Sequence, residues 1–573
     1  MRPRPEALRN AANEPFDVCV IGGGATGSGC ALDAQLRGLK SILVDGADFA
    51  SGASSASTKM VHGGVRYLEQ AVRRLDRSEY EVVKRALRER IRMLRNAPFL
   101  TRTRQFVTPC YSWREVAYYE VGLKLYDWLA GRAGLTSSGF LSREKALRRI
   151  PMLNPEGLVG AVAYTDGQFD DARYNITLVE TFAGAGGEAL NYARVVGFEK
   201  NADGRIEAAK IQDRFSARPF PVRARAFVNA TGPFADALRE MATPGATRRM
   251  RPSRGVHVVL PIELLAGRIA NAGENCASSS EESRASSAHE SFDALLIPKT
   301  EDGRVLFAIP WMGRLLVGTT DEATDQAETA GVSRSETEYL LRHLNRYLVK
   351  PVKPAQILSA FAGVRPLVSS AGAPEGETKE LARDHVVEAD AASGLISVMG
   401  GKWTTYRAMA EDTIDAVERQ LNRTPVPSRT SRYPLAGSDG FAAGSWRRLV
   451  AGFGISEISA RHLSEKFGSR AQHVLALARK NPDLAAPLAH GLAPLKVEVV
   501  FCARHEMALS IEDVLARRIG LESYGWREAV AAAPAVAELL AAELRWTAEQ
   551  KGRVLEEYVG RIEGQMREAG VCG

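Results

Sequence analysis

The sequence predicts an α/β fold that carries an inserted β-rich domain and ends in an all-α domain. An apolar run at residues 16–21 leads directly into glycines and a helical stretch at 25–36, and a second apolar run follows at 41–44. Residues 255–320 alternate in the manner of strands, and the chain after Pro425 is rich in Ala and Arg and typical of helices. These patterns predict a β-turn-α-β unit, a second sheet and a helical tail.

The composition is that of a large folded protein. Its 573 residues are 45% hydrophobic, 25% charged and 7% aromatic, which excludes a disordered chain, a collagen and a disulfide-stabilised miniprotein. Lys and Arg number 75 against 68 Asp and Glu, and the net charge of +7 is too diffuse to indicate nucleic acid, although it permits contact with an anionic surface or substrate. The six cysteines are scattered, so we expect neither a metal site nor disulfides.

The apolar stretches are all short. None approaches the roughly 18 uninterrupted apolar residues that a membrane-spanning helix needs, and the first ten residues lead into no apolar segment. We therefore expect neither a signal peptide nor a transmembrane helix. Any contact with a membrane would be peripheral.

The first strand runs into a glycine motif that opens a helix. Gly22, Gly24 and Gly27 form G-x-G-x-x-G, in which the glycines allow a tight turn, approach of the backbone to a pyrophosphate and close packing of helix on strand. Asp45 ends the second strand 18 residues after Gly27, where a carboxylate can accept ribose hydroxyls. The unit therefore predicts a dinucleotide site.

Small side chains dominate the next stretch. Residues 51–59 are almost all Ser, Ala, Gly and Thr, and the run MVHGGVRYL follows at 60–68. A loop of this kind can wrap the diphosphate of an extended FAD and reach the flavin ring. It favours FAD over a nicotinamide cofactor.

Two helical stretches follow. The first, at 79–96, is basic, with Lys84, Arg85, Arg88, Arg92 and Arg95 around an apolar stripe. The second, at 113–129, carries Trp113, Tyr118, Tyr119, Tyr126 and Trp128. Both could lie on an anionic membrane. The same patterns also suit helices that pack on their own protein with a solvated basic face.

The rest of the chain predicts strands, one loop and the tail. Strands are expected at 256–260, 305–309, 315–317 and 395–398, and the last ends in Gly400 and Gly401 before a helix from about Thr404. Residues 271–291 are dense in Ser, Glu and Asn and predict a mobile surface loop.

Several short motifs follow one another along the chain. They are SSASTK at 54–59, HGGVRYL at 62–68, NATGP at 229–233, GVH at 255–257, PWM at 310–312, GTTD at 318–321, GVRPL at 363–367 and GGKWTTYR at 400–407. Together they resemble the FAD-dependent glycerol-3-phosphate dehydrogenase family over residues 15–410. A weaker resemblance continues through Glu506, Asp513, Arg517 and Arg518. Departures from the family pattern are Asp45, Phe234, Arg254 and the 271–291 loop.

The resemblance implies an activity. Family members oxidise sn-glycerol 3-phosphate to dihydroxyacetone phosphate and pass the electrons through FAD to a membrane quinone. Oxidases of the family use oxygen and carry a long insertion between the segments that match Arg365 and Gly400, an interval that is short here. The dehydrogenase is therefore favoured. An oxygen-dependent glycerophosphate oxidase, an amine or amino-acid oxidase, and a flavin-bound protein without enzymatic activity stay as alternatives.

The resemblance also implies partners and a location. We expect a peripheral protein on the cytoplasmic face of the inner membrane, with a cytoplasmic protein as the alternative, an anionic membrane surface as partner, a possible homodimer and no nucleic acid. The FAD-binding domain is predicted to be discontinuous, at 15–75, 155–250 and 355–415. The substrate domain is predicted at 76–154 and 251–354, and the helical domain at 425–573.

The predicted site residues fall into two groups. Non-covalent binding of FAD is assigned to Gly22, Gly24, Gly27, Asp45, Ser54, Ser55, Thr58, Lys59, His62, Gly63, Val195, Ala230, Gly232, Gly401, Lys402 and Thr404. Binding of substrate is assigned to Arg66, Tyr67, His257, Arg365, Arg383 and Lys402.

The chemistry explains these residue types. Arginine binds a phosphate dianion with a planar fork of donors, which suits Arg66, Arg365 and Arg383. Loss of the hydroxyl proton at carbon 2 needs an acceptor, for which histidine is suited. The sequence leaves His62 and His257 open for this role. Lys402 could contact flavin or phosphate, and with His62, His257 and Arg365 it completes the predicted catalytic set. We expect Asp321 and Glu322 to be structural.

Overall fold

A computed structural model describes residues 1–64, 77–131, 134–216, 218–266, 292–324, 331–369 and 385–571. The predicted loop at 271–291 lies outside these residues. The described chain forms two large sheets and a helical C-terminal domain, which confirms the predicted fold class.

The first sheet contains the dinucleotide-type unit. Five neighbouring strands run parallel, so their carboxyl ends meet at one edge of the sheet. Most of their apolar side chains are buried, and those of Val18, Cys19 and Val20 are fully buried. In spatial order the strands are His385–Ala389, Leu395–Gly400, Phe220–Asn229, Phe16–Ile21, Ser41–Val44 and Glu188–Leu190, and the hairpin Ala193–Lys200 and Ile206–Asp213 extends from Phe220–Asn229.

Helices cover the first sheet. Ala25–Leu36 packs between Asp171–Gly184 and Tyr406–Gln420. These three helices and the strands share one apolar core. The shorter elements around them are Arg4–Asn13, Ala53–Ser55, Gly232–Phe234, Ala235–Ala242, Trp403–Thr405 and Thr430–Arg432.

The second sheet is mainly antiparallel. Its strands in spatial order are Glu322–Ala323, Ser253–Pro261, Arg314–Gly318, Leu306–Trp311, Ala294–Ile297, Thr101–Cys110, Gly160–Phe169 and Met60–Val61. Ser359–Arg365 also pairs with Ser253–Pro261, and Gly139–Ser142 with Gly160–Phe169. The helices of this region are Arg77–Asn96, Trp113–Ala130, Arg143–Arg149, Glu263–Ala266, Arg334–Asn345 and the short turn Pro354–Gln356.

Strand pairing differs from the predicted division of domains at three places. Met60–Val61, Gly160–Phe169 and Ser359–Arg365 hydrogen-bond within the second sheet, although the prediction gave all three to the FAD-binding domain. The chain therefore crosses between the sheets more often than the predicted bounds imply.

The C-terminal domain is helical, as expected. Two of its helices end at glycines, where Gly454 (φ 66°) and Gly468 (φ 59°) adopt positive φ, a conformation that glycine tolerates well. The elements are Trp446–Phe453, Glu457–Phe467, Gly468–Arg470, Ala471–Ala476, Leu477–Arg479, Pro482–Ala485, Lys496–His505, Asp513–Arg518, Leu521–Tyr524, Trp526–Leu544 and Ala548–Glu568. Its buried side chains, such as Trp526, join the apolar core of the second sheet.

Candidate functional site

A cavity of about 810 Å³ lies where the loops of the first sheet face the second sheet. Its walls come from residues 53–58 and 400–404, from the second sheet, and from the helix Trp113–Ala130. The predicted residues that line it are Ser54, Thr58, His62, His257, Arg365, Gly401, Lys402 and Thr404. The remaining described ones support these walls or the glycine turn beside them.

The glycine turn leaves no room for side chains. Gly22 has φ 109°, and a Cβ there would lie 2.5 Å from the Ala230 carbonyl oxygen. A Cβ on Gly27 would lie 1.8 Å from the Gly22 oxygen, and one on Gly24 would lie 2.9 Å from Ser54 Oγ. The backbone can therefore come close to a bound diphosphate at the start of the helix Ala25–Leu36.

Asp45 lies beside this turn. Its carboxylate accepts hydrogen bonds from the backbone N–H of Gly23 (2.5 Å) and Ala47 (2.8 Å). Burial raises the pKa of Asp45 to about 6. Val195 supports the same loop indirectly, because its strand begins at Ala193, whose N–H donates to the Asp45 carbonyl oxygen at 2.6 Å. The carboxylate is thus fixed where the motif predicts a contact with ribose.

Ala230 and Gly232, two further predicted cofactor residues, lie beside the glycine turn at the edge of the first sheet. The Ala230 N–H donates to the Ile21 carbonyl oxygen at 2.8 Å. Gly232 has φ 60° and opens the short helical turn Gly232–Phe234. On the other side of the cavity, Gly401 has φ 76°, and a Cβ there would lie 2.4 Å from Met409 Sδ. Backbone therefore forms the wall at these positions.

The loop of small residues joins the two sides of the cavity. Ser54 Oγ accepts from the Ala25 N–H at 2.9 Å, and the Ser54 carbonyl oxygen accepts from the Trp403 indole at 2.9 Å. Thr58 Oγ1 lies 2.9 Å from His257 Nε2. The loop therefore links the glycine helix to the predicted substrate histidine.

Lys59 does not line the cavity. Its side chain is buried, and Nζ donates to the Ser55 carbonyl oxygen (2.6 Å) and to Asp171 Oδ1 (2.5 Å). The ammonium also lies over the rings of Trp311 (5.2 Å) and Phe361 (5.0 Å). Lys59 thus supports the loop from behind through the Ser55 carbonyl oxygen, and the predicted contact of these two residues with the cofactor stays a prediction.

His257 is buried on the strand Ser253–Pro261 of the second sheet. Its ring stacks on Phe361 at 5.0 Å, and Nδ1 has no hydrogen-bond partner among the described residues. Burial lowers the pKa of His257 well below its ordinary value, and the charges of Arg365 and Lys59 lower it further. The imidazole is therefore neutral at physiological pH and can accept a proton.

His62 also lines the cavity. Burial lowers its pKa to about 4, helped by the charges of Lys402 and Arg90 and opposed by Asp166. Its N–H lies 3.4 Å from Thr404 Oγ1. The next residue, Gly63, donates to the Tyr126 hydroxyl at 2.8 Å. His62 is likewise neutral.

Arg365 is held by the strand end beside it. Nη1 donates to Asp321 Oδ1, and Nη2 donates to Thr319 Oγ1 and to the Thr320 carbonyl oxygen, each at 3.0 Å. Asp321 thus has the structural role that was expected, because it orients a cation at the cavity wall. The other predicted substrate contacts, Arg66, Tyr67 and Arg383, lie outside the described residues.

Sequence reasoning missed a polar cluster behind His62. Asp166 accepts from Arg90 Nη1 at 2.8 Å and from the Tyr126 hydroxyl at 2.9 Å. These residues come from one strand and two helices, and all are buried. No spacing signal could have joined them, because they lie on three separate elements of the chain.

The helix Trp113–Ala130 forms an apolar arm of the cavity. Ala117, Tyr118, Val121, Gly122 and Leu125 line the cavity, and Val121 is also 71% exposed. The same helix exposes Trp113 (67%) and Trp128 (69%). The cavity therefore opens beside an exposed apolar surface.

A second cavity of about 750 Å³ lies next to this helix. It is basic, and its cations are Lys84, Arg88, Arg92, Arg95 and Arg432, with Trp128 at its wall. Within the described part of the chain, no helix has the length and apolar content required to cross a membrane.

Two family models match the chain. A model of FAD-dependent oxidoreductases matches residues 17–407. A model of the C-terminal domain of alpha-glycerophosphate oxidase matches residues 428–551. Together they span both sheets and most of the helical domain.

The chain is also similar to curated glycerol-3-phosphate dehydrogenases and to a solved structure of one. The chain is 39% identical to the mitochondrial glycerol-3-phosphate dehydrogenase of Bos taurus, over 96% of this chain and 73% of the relative. It is 38% identical to that of Arabidopsis thaliana, over 95% and 86%. The crystal structure of glycerol-3-phosphate dehydrogenase from Bacillus halodurans complexed with FAD superposes with a TM-score of 0.75 at 27% identity, covering 99% of this chain and 97% of that one.

Proposed function

Because the chain belongs to the family of FAD-dependent glycerol-3-phosphate dehydrogenases, we propose that its cavity oxidises sn-glycerol 3-phosphate to dihydroxyacetone phosphate, with His257 as proton acceptor and a membrane quinone as electron acceptor. The observation that carries this proposal is one cavity that is lined by a neutral histidine and an oriented arginine and lies beside the glycine turn of a dinucleotide site. FAD supplies the hydride acceptor for the reaction.

The residues present fit FAD. The turn at Gly22, Gly24 and Gly27 leaves backbone exposed at a helix start, and Asp45 is oriented beside it. The second backbone wall, at Gly401, comes at the start of a helical segment. An N-terminal helix end stabilises negative charge. These groups would hold the diphosphate, the ribose and the flavin.

Arg365 is our candidate for the substrate phosphate. Its guanidinium is oriented by Asp321 and Thr319 and lines the cavity. The planar guanidinium fork suits a phosphate dianion. Lys402, which also lines the cavity, adds positive charge to the same space.

His257 is our candidate for the hydroxyl proton. It lies on the strand that pairs directly with the strand of Arg365, so a substrate held by its phosphate would have its carbon 2 near this histidine. The neutral imidazole takes the proton while the C–H bond gives up its hydride. Thr58, bonded to Nε2, fixes the ring orientation. His62 is then left to support the cofactor side.

The electron acceptor is inferred to be a quinone that enters along the apolar arm. Tyr118, Val121, Gly122 and Leu125 connect the cavity to an exposed apolar surface. A long apolar molecule can follow such a path, whereas a phosphorylated substrate gains nothing from it.

The surface around this arm supports a peripheral membrane location. Exposed Trp113 and Trp128 and the basic second cavity lie on adjacent helices, a combination that suits the headgroup region of an anionic bilayer. We place the protein on the cytoplasmic face of the inner membrane and keep a homodimer as an open expectation.

The first test is anaerobic titration of the purified flavoprotein with sn-glycerol 3-phosphate, in which flavin absorbance is monitored at about 450 nm. Bleaching by this substrate, with fast recovery on a soluble quinone and slow recovery in air, is expected. Fast recovery in air with peroxide formation would instead identify an oxidase. The absence of bleaching would overturn the proposed substrate.

The proton acceptor is tested by His257→Asn. The rate of bleaching should fall by about 10²-fold or more, which is typical for loss of a general base. His343→Asn is the control, because His343 is buried in the helix Arg334–Asn345 and does not line the cavity. If the rate of bleaching falls by this factor in His62→Asn and is unchanged in His257→Asn, His62 is the proton acceptor.

The acceptor path is tested at Gly122, where a Cβ would meet nothing within 4 Å. Gly122→Leu should leave bleaching by substrate intact and slow reoxidation by an apolar quinone, while a small hydrophilic acceptor still works. Gly560→Leu is the matched control on a C-terminal helix, with equally open space. Unchanged quinone reoxidation in Gly122→Leu would contradict this path.

The membrane contact is tested by sedimentation with lipid vesicles. Binding should require anionic lipid, weaken with salt and fall in the double variant Trp113→Ser, Trp128→Ser. Phe215→Ser removes an exposed aromatic side chain elsewhere (62% exposed) and should change nothing. Equal binding by all three proteins would exclude this surface.

A further inference from the structure

We infer that the C-terminal helical domain is part of the cofactor site, because its residues 506–518 fix the loop that carries Asp45. The inference rests on the FAD site proposed above and assigns a positioning role to Asp48, Arg517 and Arg518. It gives the helical domain a function in retention of the cofactor.

The first contact is at Asp48, three residues after Asp45. Its buried carboxylate accepts from Arg517 Nε (2.6 Å), Arg518 Nη2 (2.9 Å) and Asn191 Nδ2 (2.9 Å). Burial alone would raise the pKa of Asp48, but the two guanidiniums hold it below the ordinary value. The carboxylate is therefore charged and bound to the helical domain.

The loop is also bonded to the first sheet and to the glycine turn. The Ala50 N–H donates to the Gly23 carbonyl oxygen at 3.1 Å, and the Tyr192 N–H donates to that of Ala47 at 2.8 Å. Tyr192 in turn donates through its hydroxyl to Asp513 Oδ1 at 2.6 Å. The strand next to the loop is thus tied to the same C-terminal segment.

A second contact reaches the glycine turn. Glu506 accepts from Arg173 Nη1 and Nη2 at 2.7 and 2.5 Å, with both side chains buried. Two residues further along the helix of Arg173, Asn175 donates to the Gly23 carbonyl oxygen at 2.8 Å. The segment 506–518 therefore supports both the loop of Asp45 and the helix behind the turn.

Local helix geometry allows both arginines to reach one carboxylate. Asp513–Arg518 is wound as a π-helix, with the Ile519 N–H donating to the Val514 carbonyl oxygen. Adjacent residues on an α-helix point in different directions, and π-turns occur often at functional sites. Arg517 and Arg518 converge on Asp48 here, and Arg518 Nη2 also donates to the Glu506 carbonyl oxygen at 2.7 Å.

The experiment measures release of FAD from the holoenzyme. In Arg518→Gln and Asp48→Asn, flavin fluorescence released into solution should appear at least about tenfold faster than in wild type. The first change leaves the buried Asp48 with one guanidinium instead of two, and the second leaves two buried guanidiniums without this carboxylate. In the double variant, the increase in the rate of FAD release should be smaller than the product of the increases in the two single variants, since both changes remove the same interaction. Circular dichroism reports whether each variant is folded.

The control is Glu528→Gln. It breaks the Arg314–Glu528 ion pair (2.9 Å), which joins the same helical domain to the second sheet, away from the Asp45 loop. FAD release should equal that of wild type. If Arg518→Gln does not fold, Arg517→Gln replaces it.

Two outcomes would overturn the inference. One is a folded Arg518→Gln that retains FAD as wild type does. The other is release in Glu528→Gln as fast as in Arg518→Gln, which would indicate a general loss of stability. The proposed function fails separately, if wild type retains FAD that sn-glycerol 3-phosphate does not bleach.

Discussion

At the residue scale, Lys59 connects the cofactor loop with the environment of His257. Lys59 has φ 59°, an uncommon conformation for a residue with a side chain, and its ammonium is neutralised by Asp171. It lies against Phe361, which stacks on His257. A change at Lys59 therefore acts on both sides of the cavity.

Lys59→Met should shift the acid limb of the pH profile. The charges of Lys59 and Arg365 both lower the pKa of His257, so removal of Lys59, which also leaves Asp171 unpaired, raises that pKa. The acceptor must be neutral, and the fall in kcat/KM on acidification should then begin about one pH unit higher. The measurement is anaerobic flavin reduction as a function of pH.

Lys59→Arg is the control for this prediction. It keeps the charge, so the acid limb should stay where it is in wild type even if the loop is disturbed and the rate falls. An unchanged acid limb in Lys59→Met would show that Lys59 acts only on the loop.

The sequence motifs predicted which residues meet, but not how all of them are used. Thr58, His257 and Arg365 line one cavity, as their motifs implied. Lys59 was grouped with the cofactor contacts, and it is turned away because Asp171, 112 positions later, pairs with it. A short motif contains no information about a partner so distant in the chain.

At the element scale, the helix Arg77–Asn96 is joined to Tyr406–Gln420 by a buried ion pair. Arg407 Nε and Nη2 donate to the two carboxylate oxygens of Glu89, each at 2.7 Å. Both side chains are almost fully buried. The pair lies just after the segment of Lys402 and Thr404, so it also holds that wall of the cavity.

Glu89→Gln should destabilise the protein by about 3 kcal/mol, because it leaves a buried guanidinium without its main counter-charge. The measurement is the free energy of unfolding in urea with FAD in excess. Glu338→Gln, which breaks the exposed Arg334–Glu338 pair, should cost less than about 1 kcal/mol. Equal effects of the two changes would contradict the role given to the buried pair.

Elements with clear periodicity were predicted well. The stretches 79–96 and 113–129 correspond to the helices Arg77–Asn96 and Trp113–Ala130, because apolar residues recur there at helical spacing. The strand Gly160–Phe169 was not predicted. Every one of its residues is buried, so polar and apolar residues do not alternate along it. Asp166 and its polar neighbours also interrupt the apolar run.

At the scale of the whole molecule, the buried site makes stability depend on pH. The pKa of His62 is lowered to about 4 and that of His257 falls well below its ordinary value, both chiefly by burial. Below about pH 6.5 the unfolded chain therefore binds protons that the native protein does not, and acidification favours unfolding. Asp45 acts in the opposite sense, because its pKa is raised to about 6 and the native state takes up a proton first.

Two histidines against one carboxylate give a net loss of stability from these groups between pH 7.5 and 5.5. In His62→Asn, the fall in the free energy of unfolding over this interval should be smaller than in wild type by about 1 kcal/mol. Urea unfolding at both pH values, with FAD in excess, measures it. His473→Asn, which changes an exposed histidine, should reproduce the wild-type fall. If the free energy of unfolding of His62→Asn falls as much over this interval as that of wild type, protonation of His62 does not contribute to the pH dependence of stability.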